Sequence, residues 1–178
     1  MATSRLTLGG RGLQYGRPMQ AVGGHLAPMA PAYDDGCVTA LVPALMQGDQ
    51  APGGWPSWLP DEVLGARRTL LLVLDGLGWE QLRSRPGAAP NLTGFAGGAI
   101  TTVAPSTTAA ALTSIATGEP PGRHGLVGYR IAVGAPERPA QAEVLNALRW
   151  STGDGDARRR HNPREFQPCE GFGAQGPP

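Results

Sequence analysis

Two short stretches place reactive oxygens where an α/β protein puts its ligands. The apolar run "LLLVLD" (70–75) ends on the carboxylate of Asp75, and Gly76-Leu77-Gly78 follows. These three residues are poor helix formers and suit a tight turn that leaves the carboxylate facing out of a sheet. A carboxylate so placed either ligates a hard or borderline cation or caps the next helix. The second stretch, "VAPSTTAAALT" (103–113), opens a helix with three hydroxyls: Ser106, Thr107 and Thr108. A helix N-terminus offers unpaired backbone N–H groups and a positive dipole end, which together bind anions, phosphate above all. A hydroxyl held there beside a metal-binding carboxylate has the means to attack phosphorus. The same residues are also ordinary N-caps, so both uses stay open on this segment alone.

The elements that must position these groups read as alternating strand and helix. "RRTLLLVLD" (67–75) is an unbroken apolar run bounded by charge and glycine, as in a central strand covered on both faces. Short helices are expected from Trp79 to Arg83 and over "APNLTGFA" (89–96), entered through Pro90. "AITTV" (99–103) is a β-branched strand, and "STTAAALTSIATG" (106–118) is a helix stopped by Gly118. Upstream, "CVTALVPALM" (37–46) carries Val38, Leu41, Val42 and Leu45 at amphipathic spacing, with Pro43 expected in its first turns. "GDQAPGGWPSWLPDE" (48–62) is a turn-rich connector whose Trp55 and Trp58 are expected in core or lid packing. The order of strands and helices implies an α/β fold with a mainly parallel sheet. Beyond Arg123 the signal weakens: "HGLVGYRIAV" (124–133) has room for a short strand, and "AEVLNALRW" (142–150) suits a helix or an extended segment equally. Residues 151–178 show no periodicity and read as an irregular segment, a loop cut in mid-course. Residues 1–30 read as a loose tail, within which Met19 and Met29 are alternative starts.

Composition narrows the classes. The formal net charge of +1 gives no bulk attraction to nucleic acid or anionic membrane. All 15 basic residues are arginine, which with abundant Ala, Gly and Pro reflects a GC-rich coding sequence. Cys37 and Cys169 show no metal-knuckle spacing and suit two free thiols in a reducing compartment. With neither an apolar run of membrane length nor a signal-peptide core, a cytoplasmic location is expected. Nucleotide-binding loops fail on inspection: Gln81 stands where a dinucleotide fingerprint needs Gly, and without lysine there is no Walker loop. No GxSxG elbow is present.

Taken together, "LLLVLDGLGW", "APNLTGFA", "APSTTAAALTSIATGEPPGRHGLVGY" and "LNALRW", with "PAY" (31–33) upstream, resemble the N-terminal part of the nucleotide pyrophosphatase/phosphodiesterase branch of the alkaline phosphatase superfamily. The resemblance spans residues 33 to about 168. It implies a three-layer α/β/α fold, incomplete at the C-terminus here, with residues 31–150 as the N-terminal part of the catalytic domain. It also implies two divalent metal ions, usually zinc, and hydrolysis of phosphodiester, pyrophosphate or monoester bonds through a Thr or Ser nucleophile. By position, Asp75 resembles the first metal ligand. Thr108, nine residues before Thr117-Gly118, resembles the nucleophile and a second contact to metal, with Thr107 and Ser106 as the other candidates. His124 falls in a turn that has a structural role in the family. The implied partner is a small phosphate ester or nucleotide. Two departures stand out. Many relatives carry Asn three residues after the nucleophile, where this chain has Ala111. The remaining metal ligands of the family are Asp and His residues far downstream; here only His25, His124 and His161 occur, and no aspartate forms an Asp-His pair. "GDGDARRRHNP" (153–163) is no substitute, because its arginines repel cations. The expectation is therefore an N-terminal fragment with the nucleophile half of a hydrolase site, inactive alone. The alternatives are a non-catalytic remnant and a module that binds a phosphate ligand without turnover.

Overall fold

The helix expected at the first hydrophobic repeat forms as α1, Val38–Gln47, in a computed structural model that describes residues 21–22, 25–26, 29–51, 53–134 and 142–175. Most of the expected N-terminal tail, Met19 included, lies outside the described residues; within it, β1 (Ala21–Val22) pairs antiparallel with β2 (His25–Leu26). Pro43 sits inside α1 rather than in its first turn, and its ring faces Gly118. The short helices α2 (Trp79–Ser84) and α3 (Pro90–Thr93) stand where the sequence places them. So does α4, Thr108–Thr117.

Gly118 ends α4 in the left-handed region at φ 75°, with its N–H donating to Ser114 O at 2.8 Å. A Cβ there would lie 2.9 Å from Phe172 Cζ, so both backbone and neighbour require glycine. The alanine run gives α4 a smooth face. Ala110 forms one core cluster with Cys37 and Val103, and Val38 and Ala111 pack against it. Ala44, Trp58 and Leu59 form another, joined by Trp55 and Ile100, which puts both tryptophans of the connector in packing roles.

The expected parallel sheet is where the structure departs from the sequence. Residues 99–103 make one parallel bridge, Cys37 to Thr101, through Thr101 N–H to Gly36 O (2.8 Å) and Val38 N–H to Thr101 O (3.0 Å). Residues 67–75 join no strand, with bends at Arg67 and Arg68 and a turn at Asp75, and Leu70 and Leu72 are exposed, at 92% and 70%. An apolar run reports a demand for burial, while a strand also needs a neighbour whose backbone meets it, and none of the described residues supplies one. A sheet forms instead where the pairing is local. After α5 (Pro121–His124), β3 (Arg130–Val133), β4 (Glu143–Asn146), β5 (Ser151–Thr152) and β6 (Gly155–Asp156) build a four-stranded antiparallel sheet in that order. The ambiguous segment 142–150 thus resolves as strand and turn. Residues 151–166, aperiodic in sequence, hold two strands and α6 (Pro163–Phe166), and they share the core of Leu126, Ile131, Val133, Leu145, Trp150 and Ala157. Among the described residues no helix is long and apolar enough to cross a membrane.

Candidate active site

Asp75 heads a tight turn. Leu77 N–H donates to Leu74 O at 3.2 Å, and Gly76 takes φ 79°, the conformation a turn assigns to glycine at its third position. The next helix, α2, is capped by Gly78, so Asp75 is not its N-cap. Its carboxylate is left exposed and free to turn toward another part of the chain.

That part is the start of α4. Thr107 is the N-cap residue, yet its side chain makes no capping hydrogen bond, and its Oγ1 is buried without a partner. Thr108 is the first helical residue, and its Oγ1 donates to Asp75 Oδ2 at 2.9 Å across 33 residues of sequence. Ser106 is exposed in the preceding loop. Of the three hydroxyls, Thr108 is the one that meets the carboxylate. The N–H groups of the first turn have no acceptor within the helix, and the positive end of the α4 dipole lies beside the pair.

The loop that delivers Thr108 is held from below and from upstream. Val103 and Ala110 are buried beneath it with Cys37. The Tyr33 hydroxyl accepts from Ala104 N–H at 3.2 Å. Thr101 Oγ1 accepts from Ala32 N–H at 2.9 Å and donates to Gly36 O at 3.0 Å. Sequence reading noted "PAY" without a role; Tyr33 is a positioning residue, and only its long-range hydrogen bond reveals this. Ala111 lies half-buried in the core cluster and offers no donor to the site.

His124 is elsewhere in purpose. It is 1% exposed, its Nδ1 accepts from Leu126 N–H at 3.1 Å, and its Nε2 lies 2.9 Å from Ser114 Oγ. An accepting Nδ1 assigns the proton to Nε2, so the imidazole donates to Ser114 and ties α5 to α4. Burial pushes its pKa below the ordinary histidine value, so the native state holds the neutral ring. The unfolded chain binds this proton more readily, so stability is full above about pH 6.5 and falls as pH drops from there toward the folded value. Urea midpoints measured from about pH 7 downward to about pH 5.5 are expected to decline. His124→Gln, which keeps a donor to Ser114, is expected to flatten that decline; an unchanged slope in this variant would rule His124 out as its source.

Asp75 and Thr108 form a two-residue donor set, whereas a catalytic zinc takes about three protein ligands. Among the described residues no group of three or more His, Cys, Asp or Glu converges on one point. Two carboxylates of the antiparallel sheet are engaged by arginines there: Asp156 pairs with Arg158 at 2.6 Å, and Glu143 with Arg160 at 2.8 Å. The donors present therefore do not fit a complete one- or two-cation centre. What the pair itself provides is an oriented hydroxyl, a carboxylate accepting its proton, and backbone N–H groups ready for an anion.

Residues 69–155 match the family model described as type I phosphodiesterase / nucleotide pyrophosphatase. The matched segment begins at the apolar run before Asp75, contains Thr108, and ends in the β5–β6 hairpin. No curated protein and no solved structure matches the chain.

Proposed function

We propose, from the match of residues 69–155 to the type I phosphodiesterase / nucleotide pyrophosphatase family model, that this chain carries the nucleophile side of a phosphoryl-ester hydrolase site. The substrate class is a phosphodiester or pyrophosphate of nucleotide type. The observation that supports the reading is the 2.9 Å hydrogen bond from Thr108 Oγ1 to Asp75 Oδ2, which joins the two chemically distinctive positions of the matched segment.

In this reading Thr108 Oγ1 attacks phosphorus. The bond from phosphorus to the leaving oxygen breaks, and a phosphothreonine forms. Asp75 orients the hydroxyl and draws on its proton, which ends on the leaving group. The N–H groups at the start of α4 receive the non-bridging oxygens. Water then cleaves the phosphothreonine and restores the hydroxyl. The family is metal-dependent, and Asp75 and Thr108 are the residues of this chain that would contribute to holding divalent cations, zinc in the first instance. Because their donors fall short of a complete centre, no step here runs through a metal. A cytoplasmic setting belongs to the same reading, supported by the unpaired Cys37 and Cys169.

The test is a trapping experiment on the gene's full translation product, incubated with bis(p-nitrophenyl) phosphate and Zn²⁺ and quenched in acid. Tryptic peptide 84–123, which holds Thr108 as well as Ser106 and Thr107, is expected to carry a phosphate on Thr108. A phosphate on Ser106 or Thr107 instead would move the nucleophile. The 178-residue chain assayed alone is expected to give no turnover, since its donors are incomplete. Turnover by that chain that depends on Thr108 would show that two residues suffice.

The shortfall in donors favours one other reading, a module that holds a phosphate-bearing ligand at α4 without chemistry. Saturable phosphate binding by the full product, with neither turnover nor a phosphorylated peptide, would select it.

A further inference from the structure

A cavity of about 940 Å³ lies between α4 and the chain that leaves α6, within the size range of small-molecule sites. Leu126 and Trp150, both 8% exposed, line it together with Leu112 and Ala116, which stand one turn apart on one face of α4. These four make an apolar wall. Three more of its lining residues carry polar groups that the fold itself does not use. Gln167 Nε2 is buried without a hydrogen-bond partner, a state that costs stability until an acceptor meets it. Arg164 and Glu170 are exposed, and among the described residues neither pairs with an opposite charge. The hydroxyls of Thr113 and Thr117, by contrast, already donate to Ala109 O and Thr113 O.

We propose that this cavity binds a free α-amino acid with a large apolar side chain. The unused groups select the class. Gln167 closes the last turn of α6, its N–H donating to Pro163 O at 2.9 Å, so Arg164 and Gln167 stand three residues apart on one helical turn. That spacing sets two side chains next to each other, and a guanidinium beside an amide N–H suits one carboxylate. Glu170 supplies the opposite charge, which accepts from an ammonium. A zwitterion with an apolar body uses all three groups and covers Leu112, Ala116, Leu126 and Trp150 at once. An apolar carboxylate without the amine meets Glu170 as a like charge. An apolar amine without the carboxylate leaves Gln167 Nε2 still lacking its acceptor. Neither Asp75 nor Thr108 lines the cavity, so the proposal does not depend on phosphoryl chemistry.

Three probes of one shape separate these cases: L-phenylalanine, 3-phenylpropionate and phenethylamine. Each is titrated into the ¹⁵N-labelled 178-residue chain, and the side-chain amide resonance of Gln167 is followed. L-Phenylalanine is expected to shift that resonance saturably and to bind about tenfold more tightly than either analogue, since each analogue lacks one charge-assisted contact. Arg164→Ala and Glu170→Ala, both at exposed positions, are expected to leave the circular dichroism spectrum unaltered and to weaken phenylalanine about tenfold each. Gln167→Leu removes the unpaired amide, so it is expected to weaken binding without lowering the urea midpoint, which distinguishes a lost contact from a lost fold. No saturable shift with any of the three probes would overturn the proposal. Equal affinity for phenylalanine and 3-phenylpropionate would overturn the zwitterion and the role of Glu170. Phenylalanine binding unmoved by both Arg164→Ala and Gln167→Leu would overturn the placement in this cavity.

Discussion

Thr108→Ala is expected to abolish phosphodiester hydrolysis by the gene's full translation product, with kcat/KM for bis(p-nitrophenyl) phosphate reduced about 10⁴- to 10⁶-fold, the range for removing a covalent nucleophile. The change deletes the hydroxyl that meets Asp75 at 2.9 Å and nothing in the core. Thr107, not Thr108, is the N-cap of α4, so helix stability is expected to hold and the melting temperature to move little. That separation is what makes the variant informative. Thr108→Ser keeps an oxygen at the same place and is expected to retain part of the activity. Asp75→Asn keeps the shape of the acceptor but loses its charge, so it is expected to fall between wild type and Thr108→Ala. A Thr108→Ala protein that keeps most of its rate would remove Thr108 from the chemistry and leave the matched family segment without its proposed nucleophile.

The largest loss of stability is expected at Trp150→Ala. Trp150 is 8% exposed, at the junction of β4 and β5. Its Nε1–H donates to His161 O at 2.6 Å, and its ring meets Phe166 edge-on, with centroids 5.8 Å apart. The indole therefore closes the C-terminal segment over the sheet and fills the centre of the cluster that includes Ile131, Leu145 and Ala157. Truncation opens a cavity and leaves the His161 carbonyl without its donor, at a cost of about 3–5 kcal/mol. Against a total of about 5–15 kcal/mol for an ordinary domain, this is enough to unfold the antiparallel unit under mild conditions. Amide exchange along Ile131–Val133 is expected to lose its protection in the variant, and the urea midpoint to fall. A change below about 1 kcal/mol would mean that the sheet is held by its hairpins alone.

How much of this was written in the chain can be judged residue by residue. The helices α1, α2, α3 and α4 were legible because helix signals are local: an apolar repeat, Pro90 at an entrance, Gly118 at an exit. Asp75 and Thr108 were legible as chemistry because a carboxylate before glycines and a hydroxyl at a helix start are unusual placements that each have a physical use. Their meeting was not, since it spans 33 residues and depends on the loop that Tyr33 and Thr101 hold in place. The parallel sheet is not formed among the described residues for a related reason. Residues 67–75 have the composition of a buried strand, but pairing is a property of two segments, and the described chain brings no second one alongside. Residues 130–133 and 143–146 have weaker strand signals and still pair, because each meets the other across one connection and buries Ile131, Val133 and Leu145 together. Sequence by itself determined which residues want burial, where helices begin and end, and which oxygens are placed to react. Tertiary structure alone decided which strands found partners and which hydroxyl met the carboxylate, because hydrogen bonds between distant segments depend on where the whole chain carries them.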